Sequence, residues 1–403
     1  MKNTLNIIIL ITIAASTLYI SYLQPQTITS NDAIIHCEIM APTIRNDLNP
    51  YIHENLVQSD IRDNKRDSVS NTPFNHIPTL NSLLLILCNE TALNWLNLYP
   101  YFLLFTFSLV ILFITKISNQ PIHYSVLFIS IGNGVYQSIR SGNLSSFAFL
   151  FLVLSCYSIW RRKYFLGGIL YSIYCLYRMT PLIVILLLLF LINNTEVKKF
   201  LKGFLSIFVP AILFSTISQT LLLRDWVLRV LIPERIANNF NESLSEGRQV
   251  LGSGILGDYF DIPSVFNLIH YVNKFSSVLS FLIFIFFAYS SYKLFISQDK
   301  TLFGLETFVV LNILHIVITP YFRSYHIIEL SFLITIWLIS NKIEFPIEYW
   351  LFPLLLYVGT YIKSIVGDTF FVIVFNDLSA PLLIFFFLCQ VLYQQNNKKS
   401  ITS

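Results

Sequence analysis

Long uninterrupted apolar runs are the feature that most constrains what this chain can fold into. The stretch PLIVILLLLFLI, Pro181–Ile192, contains no charged or hydrogen-bonding side chain. Similar runs recur along the chain: 55% of its 403 residues are hydrophobic and only 12% are charged. Soluble domains carry roughly 25% charged residues, and about 20 apolar residues in a helix cross the hydrocarbon core of a bilayer. The pattern therefore predicts an all-α, polytopic membrane protein.

Twelve apolar segments are candidate transmembrane helices, with ten or eleven as alternatives. In chain order the segments are Leu5–Leu23, Leu93–Thr115, Pro121–Ile139, Leu144–Trp160, Tyr164–Tyr177, Pro181–Asn193, Leu201–Leu223, Phe266–Phe295, Leu302–Thr319, Tyr325–Ser340, Ile347–Ile362 and Phe370–Tyr393. The fifth and sixth segments are short and meet at Pro181, so a pair that breaks within the membrane is an alternative to two full crossings. The first segment lacks a small-residue cleavage site and is interpreted as a retained span.

The distribution of Lys and Arg predicts the orientation in the membrane. With a cytoplasmic N-terminus, the short connections on the cytoplasmic side hold Lys116, Arg161–Lys163 and Lys198–Lys202, whereas the opposite connections hold few cations. Cytoplasmic connections carry the excess of Lys and Arg, so both termini are predicted to be cytoplasmic. The external cations are mostly Arg, which suits bidentate phosphate binding. The sequence thus predicts an external face that meets a phosphorylated partner.

The whole chain, residues 1–403, is predicted to form one transmembrane domain with two long external loops. The loops cover residues 24–77, after the first span, and residues 224–265, between spans seven and eight. The short connections SIRSGNLSS, YRMTP and TPYFRSYH are predicted on the same external face. A channel would distribute polar groups along its spans. Polar groups gathered at one interface instead favour a site that meets a lipid headgroup and an external solute.

Several short motifs, taken in their order along the chain, resemble those of a known enzyme family. They are Asp32 in SNDAII, Asn49-Pro50-Tyr51, the stretch HIPTL, Gly142-Asn143, the stretch GGILYSIYCLYRMTP, and Thr319-Pro320 followed by His326. The chain is similar in these motifs to glycosyltransferases of the GT-C fold, closest to the bacterial polyprenol-phosphate-mannose-dependent α-mannosyltransferases. The resemblance covers about Asn31 to Leu330.

The resemblance implies a membrane glycosyltransferase of a cell-envelope glycan pathway. Such an enzyme moves a hexose, here expected to be mannose, from a polyprenyl-phosphate donor to a lipid-linked or glycan acceptor on the external or luminal face. No cofactor or divalent metal is expected, and the expected location is the plasma (inner) membrane, with the active site on the periplasmic side. The chain departs from the family in four respects: its acid Asp32 is single, Arg178 stands where Lys is commoner, Arg323 takes the usual position of Trp, and only one His, His326, remains.

Acidic residues near the external face are the candidates for the general base. Asp32 follows the first predicted span by a few residues and is the candidate catalytic base, because a polyprenyl-phosphate sugar needs only deprotonation of the acceptor hydroxyl and stabilisation of phosphate charge. Asp47 is held in reserve, since RNDLNPY also fits an ordinary turn. Glu329 is a further reserve residue. It falls about one turn inside its predicted span, where a carboxylate is costly unless paired, for instance with Arg323.

Donor binding is assigned to residues in the short external connections. His326 is predicted to contact the donor phosphate or a sugar hydroxyl, and Arg323 and Arg178 are predicted phosphate-binding residues, with headgroup contact as the alternative. Asn143 is predicted near the sugar, with helix capping as the alternative, and Arg224 is a reserve cation. Residues 323, 326 and 329 are spaced by three, so a helix beginning there would place them on one face.

Other classes of function remain open. A polysaccharide polymerase or ligase of a surface-glycan pathway is also polytopic, but more typically has its large loop late in the chain. A non-catalytic subunit of a transferase complex would keep the same loops. A secondary transporter would show inverted repeats and charges at mid-membrane, and neither pattern occurs in this sequence. A nucleic-acid partner is not expected, because the positive residues are dispersed. The partners predicted are membrane lipid, the polyprenyl-phosphate sugar and a lipid-linked glycan.

Overall fold

The computed structural model describes residues 41–50, 92–117, 145–177, 181–189, 194–218, 224, 303–318 and 327–340. Within these ranges the regular structure is helical and includes no strand. In chain order the helices are α1 (Ala41–Arg45), α2 (Ala92–Ile117), α3 (Ser145–Trp160), α4 (Tyr164–Tyr177), α5 (Leu182–Leu189), α6 (Thr195–Ser218), α7 (Leu305–Ile318) and α8 (Ile327–Ser340). Among the described residues, no helix combines the length and apolar character needed to cross a membrane.

Most helices of the described part follow the predicted apolar segments closely, but α6 begins at Thr195 and not at the predicted Leu201. Helix α4 has the predicted bounds, α3 begins one residue later than predicted, and α2 encloses its predicted segment. The predicted helical class is thus confirmed for this part of the chain. The segments Leu5–Leu23, Pro121–Ile139, Phe266–Phe295, Ile347–Ile362 and Phe370–Tyr393 lie outside the described residues, as do most of loops 24–77 and 224–265, so the twelve spans stay a prediction.

Helices α3 and α4 form an antiparallel hairpin joined by a three-residue turn. The Arg162 N–H donates to the Ile159 carbonyl at 2.9 Å, and the Lys163 N–H donates to the Ser158 carbonyl at 2.8 Å. This pair of bonds is a Schellman motif, which ends a helix with one residue in the left-handed region. Arg162 is that residue, with φ 58°. Further along, Ser155 Oγ donates to the Gly167 carbonyl at 2.9 Å and ties the two helices together.

Helices α4 and α6 pack through two glycines that bring their backbones together. A Cβ on Gly168 would lie 2.0 Å from the Phe200 carbonyl oxygen, and a Cβ on Gly203 would lie 2.0 Å from the Phe165 carbonyl oxygen. No side chain can occupy either position, because the neighbouring atoms are backbone and cannot rotate away. Glycine at both positions is therefore what permits this helix pair to approach so closely.

Aromatic side chains fill the core between α4, α6 and α7. The rings of Tyr171 and Phe308 are 5.0 Å apart and nearly perpendicular, and those of Phe200 and Phe308 are 5.5 Å apart. Phe303 continues the stack towards Tyr164, at 5.9 Å. Edge-to-face pairs at these separations stabilise a core beyond the area they bury. The contacts make α7 run alongside α4 in the same direction, with its C-terminal half beside the C-terminal half of α4.

Candidate functional site

One end of the helical bundle collects exposed cations. The Lys116 ammonium of α2 lies 5.8 Å from the ring centroid of Tyr157, close to the end of α3. The first turn of α4 meets α6 where the Phe165 carbonyl faces Gly203. The C-terminus of α2, the α3–α4 turn and the N-terminus of α6 are therefore neighbours. We name this surface the basic end; its exposed cations are Lys116, Arg161, Arg162, Lys163, Lys198, Lys199 and Lys202.

The opposite half of α4 carries two buried tyrosines that reach two different helices. The Tyr171 hydroxyl donates to Asn312 Oδ1 of α7 at 2.9 Å, and the Tyr174 hydroxyl donates to Glu329 Oε2 of α8 at 3.2 Å. All four side chains are buried, Glu329 with only 1% of its surface exposed. We name Tyr171, Tyr174, Asn312 and Glu329 the polar cluster. It joins the C-terminal half of α4 to α7 and to the first turn of α8.

The amide of Asn312 is oriented by a second hydrogen bond. Asn312 Nδ2 donates to the Phe308 carbonyl at 2.8 Å, which leaves Oδ1 directed at Tyr171. The Tyr171 oxygen also lies 3.4 Å from the Pro181 carbonyl oxygen, at the start of α5. A buried amide and a buried phenol each cost free energy unless hydrogen-bonded. The hydrogen bond between Tyr171 and Asn312 satisfies both groups and fixes the position of α4 relative to α7.

Glu329 is a carboxylate placed where its helix can stabilise it. It lies in the first turn of α8, and the N-terminus of a helix carries a partial positive charge that favours an anion. The phenol of Tyr174 adds a hydrogen bond to one carboxylate oxygen. A buried carboxylate with these partners can hold a fixed orientation, and it can accept or release a proton if a reactant reaches it.

Two further buried polar side chains lie near the cluster in sequence. His315 follows Asn312 by three residues and so shares its face of α7; it is 1% exposed. Ser172, on α4, is fully buried, and within the described part of the chain its Oγ has no hydrogen-bond partner. Each of them therefore lies within about one helical turn of a cluster residue along its own helix.

The predicted site residues divide into those that the structure describes and those that it does not. The candidate base and the principal donor-binding residues, Asp32, Asn143, Arg178, Arg323 and His326, all lie outside the described residues. The described ones are the three reserve residues, Asp47, Arg224 and Glu329.

The reserve residues differ in their surroundings. Asp47 follows α1 with φ 56°, and the hydrogen bond from the Leu48 N–H to the Thr43 carbonyl, 3.0 Å, closes the turn. This agrees with the alternative interpretation of Asp47 as a turn residue. Arg224 is exposed. Glu329 is buried and bonded to Tyr174, a partner that the sequence analysis did not identify; its suggested partner Arg323 lies outside the described residues.

The spacing of polar residues in the sequence indicates the helix faces that form the polar cluster. Tyr171, Tyr174 and Tyr177 recur at every third position in YSIYCLY, so they lie along one side of a helix. Asn312 and His315 have the same spacing in NILH. Polar side chains in register on apolar helices are expected to face each other inside a bundle rather than lipid.

The described residues contain no group of three or more His, Cys, Asp or Glu side chains that could hold a metal ion. The candidate site in this part of the chain therefore consists of the Glu329 carboxylate and the Asn312 amide, each of which accepts a hydrogen bond from a tyrosine. Comparisons of the whole chain with known protein families, with curated proteins and with solved structures found no match.

Proposed function

We propose that the protein is a membrane glycosyltransferase that moves a hexose, in the first instance mannose, from a polyprenyl-phosphate donor to a lipid-linked or glycan acceptor. The observation that carries the proposal is the hydrogen bond of 3.2 Å between Tyr174 and Glu329. It joins the last turn of α4 to the first turn of α8. Arg178 directly follows α4, and His326 directly precedes α8, so two of the residues predicted to bind the donor are attached to neighbouring helix ends.

A second contact supports the same grouping. The rings of Phe151 and Tyr177 stack with centroids 6.5 Å apart, which brings the N-terminal half of α3 to the end of α4. Asn143 precedes the first residue of α3 by two positions. The connections that carry Asn143, Arg178 and His326 thus adjoin three helices, α3, α4 and α8, that pack against one another, which supports a shared donor site.

In the proposed reaction Asp32 takes the proton of the acceptor hydroxyl. The acceptor oxygen then forms a bond to the anomeric carbon while the bond between that carbon and the donor phosphate oxygen breaks. The polyprenyl phosphate leaves with an additional negative charge. Arg178, Arg323 and His326 stabilise that charge, because cations positioned where charge develops lower the barrier most. Asn143 binds a sugar hydroxyl, and no cofactor or metal takes part.

The proposed location is the plasma (inner) membrane, with both termini cytoplasmic and the site on the external face. Its support, besides the apolar composition, is a set of exposed apolar side chains. Tyr101, Phe105 and Leu112 share one face of α2 and are 70%, 56% and 57% exposed. Soluble monomers rarely present large contiguous apolar patches to water. A lipid-facing surface accounts for this face.

The first experiment tests the base with a nearly isosteric change. Asp32→Asn should lower the rate of sugar transfer by about 10²–10⁴-fold, the usual effect of losing a general base, while donor binding stays unchanged. The matched control is Asp47→Asn, which should keep at least half of the activity. Transfer by Asp32→Asn within twofold of wild type would refute the assignment, and Asp47 would then be the next candidate.

The second experiment tests the donor. Purified protein should transfer sugar from a monosaccharide on a polyprenyl monophosphate and not from an oligosaccharide on a polyprenyl diphosphate. Arg323→Ala and His326→Ala should each weaken use of the monophosphate donor; full activity in both variants would remove TPYFRSYH from the site. Turnover of the diphosphate-linked oligosaccharide would instead establish the polymerase or ligase alternative, and turnover of neither donor would favour a non-catalytic subunit.

A further inference from the structure

We infer that the basic end binds the headgroups of anionic phospholipids, with phosphatidylglycerol as the representative chemistry. The inference rests on the membrane location within the proposed function and adds which class of lipid the chain selects. Helix α2, the α3–α4 turn and α6 together present the exposed cations of the basic end. Clustered Lys and Arg at a membrane surface attract anionic lipid.

The cations of α6 are closely spaced and weakly opposed. Lys198, Lys199 and Lys202 lie within about one helical turn and are exposed. The acid beside them, Glu196, accepts a hydrogen bond from the Thr195 hydroxyl at 3.1 Å, and its backbone N–H donates to the Asn194 side chain. Glu306, in the first turn of α7, is a second acid near this end. Two carboxylates cannot neutralise the seven cations of the basic end, so the surface keeps a net positive charge.

Apolar side chains adjoin the cations directly. Phe165 and Leu166 follow the α3–α4 turn and are 51% and 43% exposed, and Leu205, one turn beyond Lys202 on α6, is 49% exposed. Free phosphate would bind the cations but would make no favourable contact with these apolar side chains. An amphiphile gains twice, because its phosphate meets the ammonium and guanidinium groups while its acyl chains cover the adjoining apolar side chains.

The test compares lipid selection by the full-length wild type and by a variant carrying Lys198→Gln, Lys199→Gln and Lys202→Gln. Gln has nearly the helix propensity of Lys, so α6 should persist. Each protein is reconstituted in phosphatidylcholine with a minor fraction of phosphatidylglycerol and extracted gently. Mass spectrometry then measures the retained lipid. We expect the enrichment of phosphatidylglycerol to fall at least about fivefold in the variant, since one surface cation contributes about fivefold in affinity.

A charge-matched control separates local binding from net charge. Lys342→Gln, Lys398→Gln and Lys399→Gln together remove the same number of charges elsewhere in the sequence, and this protein should retain the wild-type enrichment. Equal enrichment in wild type and in the α6 variant would overturn the inference. So would equal losses in the variant and its control, because net charge alone would then explain the selection.

A measurement on the wild type covers the case in which the α6 variant fails to fold. Raising the salt to about 1 M shortens the screening length to about 3 Å, so the enrichment should collapse if exposed cations hold the lipid; salt-independent enrichment would overturn the inference. Poly-glutamate that displaces the lipid from the protein would identify an acidic polypeptide as the preferred partner and also overturn it. Failure of sugar transfer with lipid selection intact would refute the proposed function alone.

Discussion

The basic end and the polar cluster place their charged groups in opposite settings. At the basic end the cations are exposed, as for Lys199 and Lys202. In the polar cluster, Glu329 is buried and receives a hydrogen bond from Tyr174. An exposed charge contributes little to stability and can be replaced individually. A buried carboxylate depends on its partners, so substitution of a charged residue should cost more in the polar cluster than at the basic end.

The contact that lies between these regions should give the largest effect. Gly168→Ala puts a Cβ 2.0 Å from the Phe200 carbonyl oxygen, a distance at which α4 and α6 must separate. Since the clash is with backbone, we expect a loss of about 3 kcal/mol or more, typical of severe overpacking. Thermal unfolding of the purified protein, followed by circular dichroism, measures the loss.

The neighbouring glycine provides the control. A Cβ on Gly167 would meet Ile159 Cγ1 at 3.0 Å, which is a side-chain atom that can shift by a few tenths of an ångström. Gly167→Ala should therefore be close to neutral, because the gain in helix propensity offsets a small strain. If both variants unfolded at the wild-type temperature, the close approach of α4 to α6 would be wrong.

The polar cluster should give the next largest effect. Glu329→Ala removes the acceptor of the Tyr174 hydroxyl and leaves that buried phenol without this bond. We expect a loss of about 2–3 kcal/mol, the usual range when a buried hydrogen bond to a charged group is broken from one side. Lys202→Ala, at the basic end, should change stability by less than about 0.5 kcal/mol, as exposed substitutions do. Equal losses at both positions would refute the contrast between the two regions.

A double-mutant cycle sharpens this prediction. Tyr174→Phe removes the donor hydroxyl alone, and combining it with Glu329→Ala should cost less than the sum of the two single losses. The expected coupling is about 1 kcal/mol, in the range measured for residues in contact. Additive losses from denaturant unfolding of the four proteins would show that the bond of 3.2 Å does not contribute.

Much of the described fold was predictable from local pattern. The hairpin of α3 and α4 was located because the charged triplet Arg161–Lys163 interrupts two apolar runs. The start of α6 was predicted too late, at Leu201 rather than Thr195. Lys198 and Lys199 made the first turns look like a loop, whereas Asn194 Oδ1 accepts from the N–H groups of Glu196 and Val197 and caps the helix there.

The spacing of residues in the sequence does not predict which helices the polar cluster joins. Tyr174 and Glu329 are 155 positions apart, and Tyr171 and Asn312 are 141 apart. Tyrosines at every third position indicate a shared face, but which helix they meet depends on tertiary packing. A charged Glu329 within a predicted span is costly, so the sequence predicts that this residue has a polar partner. The sequence does not identify Tyr174 as that partner.

The neutral half of the cluster should give a smaller effect than the charged half. Tyr171→Phe removes the hydroxyl that donates to Asn312 Oδ1 at 2.9 Å. A neutral buried hydrogen bond contributes about 1 kcal/mol, so the variant should lose about half of what Glu329→Ala loses. Tyr101→Phe is the control, since its side chain is 70% exposed and should be neutral. A loss from Tyr171→Phe as large as that from Glu329→Ala would contradict a special role for the carboxylate.

The smallest effect is expected at the turn of the basic end, and its sign is opposite. Arg162 has φ 58°, a conformation that costs a residue with a Cβ about 1 kcal/mol and costs glycine almost nothing. Arg162→Gly should therefore raise the free energy of unfolding by up to about 1 kcal/mol. Asp47, at the matching position after α1 with φ 56°, should gain less on substitution, because Asp tolerates this region better than Arg. Thermal unfolding of both glycine variants tests this prediction. Destabilisation by Arg162→Gly would mean that the contacts of the Arg162 side chain contribute more to stability than the relief of backbone strain.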